Sequence, residues 1–293
     1  MGRKATVFSL LLAVTLPVRA ATVVDMVGRR VELQRPARRI VSLAPSLTEI
    51  LFAVGAGDAV VGVTDYSNYP PEANEKPSVG GGINPNMEMI VDLEPDLVFV
   101  SADSNRWDTL RQLEQLQIPV FGVKPLDAEG VFTSIEKVGE VIGRRHEAEV
   151  LIAKMRGRIA EVAEKVTHLP RPKVLCAVWI DPLFVAGTGT VIDDLIRMGG
   201  GTNVVRLPGF PKYSLEHVLV DPPDVILLAL DGGGPEDRDL LRRLPVWRDI
   251  RAVRDGAVRV VDSNMMNRPG PRIVDAVELL ARAFHPEAFR SSP

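Results

Sequence analysis

The chain has 293 residues, 46% of them hydrophobic, with a formal net charge of −3 and a single cysteine. That length and apolar content support one or two globular domains with substantial cores. The acidic balance argues against nucleic acid as a partner, since phosphate binding needs a basic face, and one cysteine excludes an internal disulfide.

Residues 1–20 differ in kind from the rest. Arg3 and Lys4 precede an apolar run over residues 5–16, and Val18, Arg19 and Ala20 stand before a plausible cut. The pattern is that of a secretory signal peptide cleaved after Ala20. The run falls short of the ~20 apolar residues that span a bilayer. Cleavage removes three basic residues and leaves a net charge of −6.

Residues 22–33 alternate around Gly28 and predict a β-hairpin. Residues 39–43 predict a strand, and Pro45 and Ser46 open a helix in which Ser46 and Glu49 stand at capping-box spacing before Ile50, Leu51 and Phe52. Gly55 and Gly57 end it, and residues 60–63 give the next strand. Strands at 97–100 and 120–123, with helices at 109–116 and 131–142, continue the alternation. Such an order argues for a parallel sheet covered by helices.

Residues 146–168 carry the longest helical pattern of the chain. Leu151, Met155, Ile159, Val162 and Val166 recur at steps of four and three and form one apolar stripe, with Gly143 before and Pro170 after. About 23 residues at ~1.5 Å each make a rod of roughly 35 Å, the width of a domain. Gly157 alone weakens its interior. Beyond it the α/β texture restarts, with strands at 173–178, 225–228 and 258–261 and helices at 191–198 and 273–284. The two halves also echo one another. Glu88 is followed seven residues later by Pro95 and Asp96, and Glu216 by Pro223 and Asp224, each time ahead of an apolar run. Each copy reads as a short helix, a Pro-Asp stop and a buried strand. The expected organisation is an N-terminal lobe over 21–143, a joining helix over 144–169 and a C-terminal lobe over 170–293.

Nothing here forms a catalytic constellation. There is no G-x-S-x-G elbow, no phosphate loop and no H-E-x-x-H, and the four histidines are scattered. No histidine lies in the loops between strands and helices, so no protein-built metal site is expected. Cys176 sits in an apolar run and reads as a small buried hydrophobe. Those loops are instead predicted at 65–71, 179–182, 210–213 and 264–268, and Tyr66, Tyr69, Trp179, Phe184, Phe210 and Tyr213 fall in or beside them. Rigid apolar faces with polar tips suit a large flat ligand, although loop aromatics also fold back onto cores. In open α/β sheets ligands sit beyond the carboxyl ends of the strands, where such loops lie.

SLAPSLTE at 42–49, TDYSNYPPEA at 64–73, the two Pro-Asp units, the long helix and VVDSNMMNRPGPRIVDA at 260–276 together resemble the periplasmic substrate-binding proteins of metal-chelate uptake. These serve ABC importers for vitamin B12, haem and ferric siderophores, and the Tyr66 segment is most similar to the cobalamin-binding branch. The resemblance covers nearly the whole mature chain. It implies a class III periplasmic binding protein: two Rossmann-like α/β lobes with parallel sheets joined by one long rigid helix, a non-enzyme with no cofactor. It implies a corrinoid held between the lobes, with a ferric siderophore or haem as alternatives and a secreted α/β enzyme as a remote one.

By the same resemblance Tyr66 stacks on the ligand, and Phe184 and Phe210 occupy aromatic contact positions. Trp179, Asn264, Met265 and Arg268 complete the expected ligand set. Glu88 and Glu216 match the acidic pair, one per lobe, that docks into arginine pockets of the permease. Charge-assisted Glu–Arg contacts are directional enough for that task. A carboxylate at a helix start is also favourable without any partner. The implied partners are an ABC permease with its ATPase subunits, and the protein is expected to be a periplasmic monomer. Glycine near Gly81, Ser101 and Met265 stand where cobalamin binders carry tryptophan, so the expected pocket is less aromatic than theirs.

Overall fold

A computed structural model describes residues 21–290, so the expected signal peptide lies outside the described residues. The chain opens with the antiparallel hairpin β1 (Ala21–Val24) and β2 (Arg30–Leu33). Then β3 (Ile40–Ser42), α1 (Pro45–Ala53), β4 (Val60–Val63), α2 (Met87–Asp92), β5 (Leu97–Ser101), α3 (Trp107–Gln115), β6 (Val120–Val123) and α4 (Ala128–Val141) build the N-terminal lobe. Its sheet has the order β4-β3-β5-β6 and is parallel throughout.

Gly143, at a φ of +72° that only glycine adopts freely, turns the chain from α4 into α5 (Arg145–Val166). The second lobe follows as β7 (Lys173–Ile180), β8 (Leu183–Val185), α6 (Val191–Met198), β9 (Thr202–Asn203), α7 (Leu215–Val220), β10 (Val225–Leu228), α8 (Pro235–Arg243), α9 (Arg251–Arg254), β11 (Val258–Val260), α10 (Ser263–Asn267) and α11 (Ile273–Phe284). Its sheet runs β11-β10-β7-β8, with β9 also on β7. This sheet departs from the all-parallel expectation, because β8 returns antiparallel on β7. Trp179 and Ile180, expected in a loop, therefore belong to a strand hairpin. Residues 264–268 are likewise not a plain loop: Asp262 accepts the Asn264 N–H at 2.8 Å and caps α10.

Alternate strand residues point to opposite faces, and both faces of each sheet are covered. Ile40, Leu97 and Phe99 of the first sheet and Val174 and Cys176 of the second face one continuous core. Val41, Val98 and Val100 turn outward to a core with Ile90 of α2, and Leu175 and Ala177 to one with Val218 of α7. The joining helix lies in the shared core. Met155, Val162 and Val166 are buried, with Ala148, while Leu151 and Ile159 pack half-exposed against it. α5 is therefore wedged between α4 and α11 rather than strung between two separate bodies.

One cap expectation fails. Ala44 is the N-cap of α1, Pro45 fills its first position, and no side chain caps it. Glu49 turns inward and is only 3% exposed, because its partners come from the other lobe.

Candidate functional site

Residues that follow strands of both sheets meet across one cleft. Leu43 follows β3, Thr64 follows β4 and Ser104 follows β5, while Asp231 lies beyond β10 and Ser263 beyond β11. With Tyr66, Gly81, Gly82, Ile83, Asn264, Asn267 and Arg268 they line a cavity of about 530 Å³. A second cavity of about 340 Å³ shares Asp231 and runs past Trp179, Asp181 and Gly232. Both open at the carboxyl edges of parallel strands, where an α/β fold leaves room for a ligand.

The N-terminal wall is tied down by buried polar groups. The Asn105 side chain donates to Leu43 O at 2.9 Å and to Gly82 O at 2.6 Å, and accepts from the Ser101 N–H at 2.6 Å, so one amide joins three lining segments. Behind Tyr66, Thr48 Oγ lies 2.9 Å from Ser42 Oγ and 3.1 Å from Ser67 Oγ, which is 2.9 Å from Thr64 Oγ. These bonds hold the loop while leaving the Tyr66 side chain free, and Tyr66 is 65% exposed. A rigidly based, exposed aromatic costs little to order on binding. Gly82 is demanded by space, since a Cβ there would stand 3.0 Å from Leu43 O, whereas at Gly81 it would meet nothing within 4 Å.

The opposite wall carries the cation of the cavity. Arg268 Nη1 donates to Asn68 Oδ1 at 2.8 Å and lies 3.7 Å from Glu49. Burial lowers its pKa from the ordinary arginine value, and Glu49 pulls the other way. Glu49 itself is held by Arg272, whose Nε and Nη2 donate to its two carboxylate oxygens at 2.9 and 2.6 Å. Burial raises the Glu49 pKa above its ordinary value, with Arg272 opposing the shift.

Of the residues singled out in the sequence, Tyr66, Asn264 and Arg268 meet in the larger cavity and Trp179 lines the smaller one. Phe184 pairs with Trp179 across the β7–β8 hairpin, and Phe210 is exposed beside it, but neither lines these cavities. Met265 is turned the other way. On α10 it packs against the core next to buried Met266, so the helix that carries Asn264 into the cleft carries Met265 out of it. Asp231, Asn105 and the Glu49–Arg272 pair escaped the sequence reading. A glutamate amid Leu47, Ile50 and Leu51 was the available signal, since a buried carboxylate requires a partner.

Glu88 and Glu216 occupy equivalent places, each the second residue of a six-residue helix on the outer face of its lobe. Asn86 accepts the Met89 N–H at 3.1 Å to cap one helix, and Ser214 caps the other. Both carboxylates are exposed. The Glu216 pKa is lowered by its own backbone N–H and then by the Ser214 hydroxyl.

A larger cavity of about 730 Å³ lies between α1, α5 and the start of α11. Its arginines are already engaged, Arg272 by Glu49 and Arg158 by Asp275 and Glu278 at 2.7 and 2.8 Å. Segments 55–58 and 69–76 complete its lining, and it shares no lining residue with the cleft cavities. Among the described residues, no group of three or more His, Cys, Asp or Glu gathers to hold a metal ion.

Residues 40–265 match the family model described as periplasmic binding protein. The chain is 31% identical over 281 residues, 92% of its length and 87% of the relative's, to an uncharacterized ABC transporter substrate-binding lipoprotein of Bacillus subtilis. It is 30% identical over 272 residues, 89% of its length and 73% of the relative's, to a cobalamin-binding protein of Halobacterium salinarum. Among solved structures, the apo periplasmic haem-binding protein of Roseiflexus sp. RS-1 superposes with a TM-score of 0.77 at 30% identity, covering 86% of this chain and 99% of that one.

Proposed function

The chain belongs to the periplasmic binding protein family, whose members bind a cargo rather than transform it, and from that premise we propose that it captures a corrinoid in the cleft and delivers it to an ABC importer. The observation that carries this reading is the cavity at the carboxyl edges of both sheets, with Tyr66 on one wall and Asn264 and Arg268 on the other. An exposed ring on a braced loop offers a flat apolar face to a macrocycle. Hydrogen-bonding groups opposite it address a polar periphery. Trp179 extends the aromatic surface along the neighbouring cavity, and the similarity to a cobalamin-binding protein supports the same ligand class.

Haem or a ferric siderophore is the second reading. Arg268 favours it, since beyond its bond to Asn68 and its contact with Glu49 the guanidinium keeps further N–H donors at the cavity wall for an anionic chelate. In either case the ligand is cargo, not a cofactor. Glu88 and Glu216 are the docking pair for the permease, one on each lobe, and their directional charge would fix both lobes on a two-fold symmetric partner. Export through cleavage after Ala20 completes the proposal. Lobes over 21–143 and 170–293 flank a joining helix within 144–169.

Titration of the exported protein with cyanocobalamin, hemin and ferric siderophores, followed by absorbance and calorimetry, tests the assignment. Corrinoid binding tighter than about 10 μM, roughly −7 kcal/mol, is expected. Weaker corrinoid binding alongside tight hemin or siderophore binding would transfer the cleft to the second reading.

A further inference from the structure

The segment between α10 and α11 reads Arg268-Pro269-Gly270-Pro271-Arg272 and crosses from the second lobe onto the first. Two prolines fix φ on either side of the glycine, so the strap is short and stiff and presents its two guanidinium groups from a set frame. Gly270 lies against the start of α1, where a Cβ would stand 3.4 Å from both Glu49 Oε2 and Ser46 O. Among the described residues, both ion pairs of the strap with the first lobe converge on one buried carboxylate. Glu49, whose side chain is 2% exposed, receives Arg272 bidentately and has Arg268 3.7 Å away. The loop carrying Tyr66 then closes over both arginines. The Tyr69 ring lies 4.4 Å from the Arg272 guanidinium, and Asn68 accepts from Arg268.

We propose that Glu49 is a positioning residue for the cleft: through Arg272 and Arg268 it clamps the strap onto the first lobe and sets the lobe spacing that a ligand meets. The shared core and α5 join the lobes on one side of the cleft, and the clamp joins them between the cleft, which Arg268 lines, and the neighbouring cavity, which Glu49 and Arg272 line. Arg268 belongs to both the clamp and the cavity lining, so a change in the clamp reaches the ligand without an intermediary. A buried carboxylate is an expensive way to gain stability, because desolvation offsets its attraction to the arginines. What the bidentate geometry supplies is a fixed distance and orientation. The effect on ligand affinity rests on the proposed cleft. The effect on lobe spacing does not.

Spin labels at Gln112→Cys on α3 and Arg254→Cys on α9, both exposed positions, report the spacing by pulsed electron resonance. The native Cys176 is fully buried and stays unlabelled. The otherwise unsubstituted protein should give one narrow distance distribution. Glu49→Gln should broaden it, with far-UV circular dichroism unchanged, and Glu49→Asp, which keeps the charge, should recover part of the narrow component. If about one molecule in ten keeps the competent spacing, apparent ligand affinity falls roughly tenfold. Should Glu49→Gln fail to fold, Arg272→Lys, which keeps a cation but loses the fork, is read the same way. A distribution unchanged in the folded variants overturns the clamp. A broadened distribution with cyanocobalamin or hemin affinity equal to the parent overturns its positioning role. If the parent binds none of the probes, the cleft reading fails while the distance measurement still decides the clamp.

Discussion

Glu49 and Arg272, 223 positions apart in sequence, meet through two parallel hydrogen bonds of 2.9 and 2.6 Å that join the lobes beside the cleft. The pair separates two kinds of loss. Removing the guanidinium strands a buried carboxylate, so Arg272→Ala should destabilise the protein by about 3 kcal/mol. Glu49→Gln also removes one partner, but the guanidinium groups it leaves are more exposed, 12% and 14% against 2% for the carboxylate, so it should cost less, about 1–2 kcal/mol. Urea denaturation of the two variants checks the asymmetry, and equal losses would contradict it.

The pH dependence follows from the direction of the Glu49 shift. Burial raises its folded pKa above the ordinary 4.5, so the folded state binds the proton more tightly than the unfolded one. The stability this contributes is complete below pH 4.5 and is lost as pH rises through the raised value. Measured against Glu49→Gln, the parent should therefore lose stability across the weakly acidic range. A relative gain over that range would reverse the sign and contradict the account.

Cys176 offers a probe of the shared core. Burial alone pushes its thiol up to about 12, so at pH 8 almost no thiolate is present and none is accessible. A thiol reagent should not react with the native protein and should react with one equivalent in denaturant. Fast labelling of the native state would mean that the strand β7 opens readily.

Two adjacent glycines of the cleft should answer differently. Gly81→Ala meets open space and should change stability by less than about 0.5 kcal/mol. Gly82→Ala drives a Cβ against Leu43 O and should cost about 1 kcal/mol, with loosening of the Asn105 bonds. Thermal unfolding of the pair distinguishes them.

For docking, Glu88→Ala with Glu216→Ala should abolish uptake in transport assays while leaving ligand affinity intact. Both side chains are exposed and line neither cleft cavity. Unchanged uptake would refute the docking role.

Periodic, local features were legible in the sequence. The closing helix spans the expected residues, and the long helix, expected over 146–168, runs Arg145–Val166. The Pro-Asp units each stop a short helix before a buried strand. Features set by distant partners were not legible. Ser46 and Glu49 had capping-box spacing, but spacing says nothing of an arginine in the other lobe. Trp179 looked like a loop residue because proline follows it closely, yet the β8 hairpin extends its strand. Met265 and Asn264 are neighbours in one motif, and only the rotation of α10 sends one to the core and the other to the cleft.

A flat ligand held in the cleft against Tyr66 should bind the parent more tightly than Tyr66→Ala, which calorimetric titration of both proteins with cyanocobalamin measures. Tyr66 is exposed and its removal leaves the buried hydroxyl network untouched, so the fold should persist. Loss of one stacking aromatic should weaken binding by about 1–2 kcal/mol, roughly tenfold. Equal affinity for the two proteins would contradict the account.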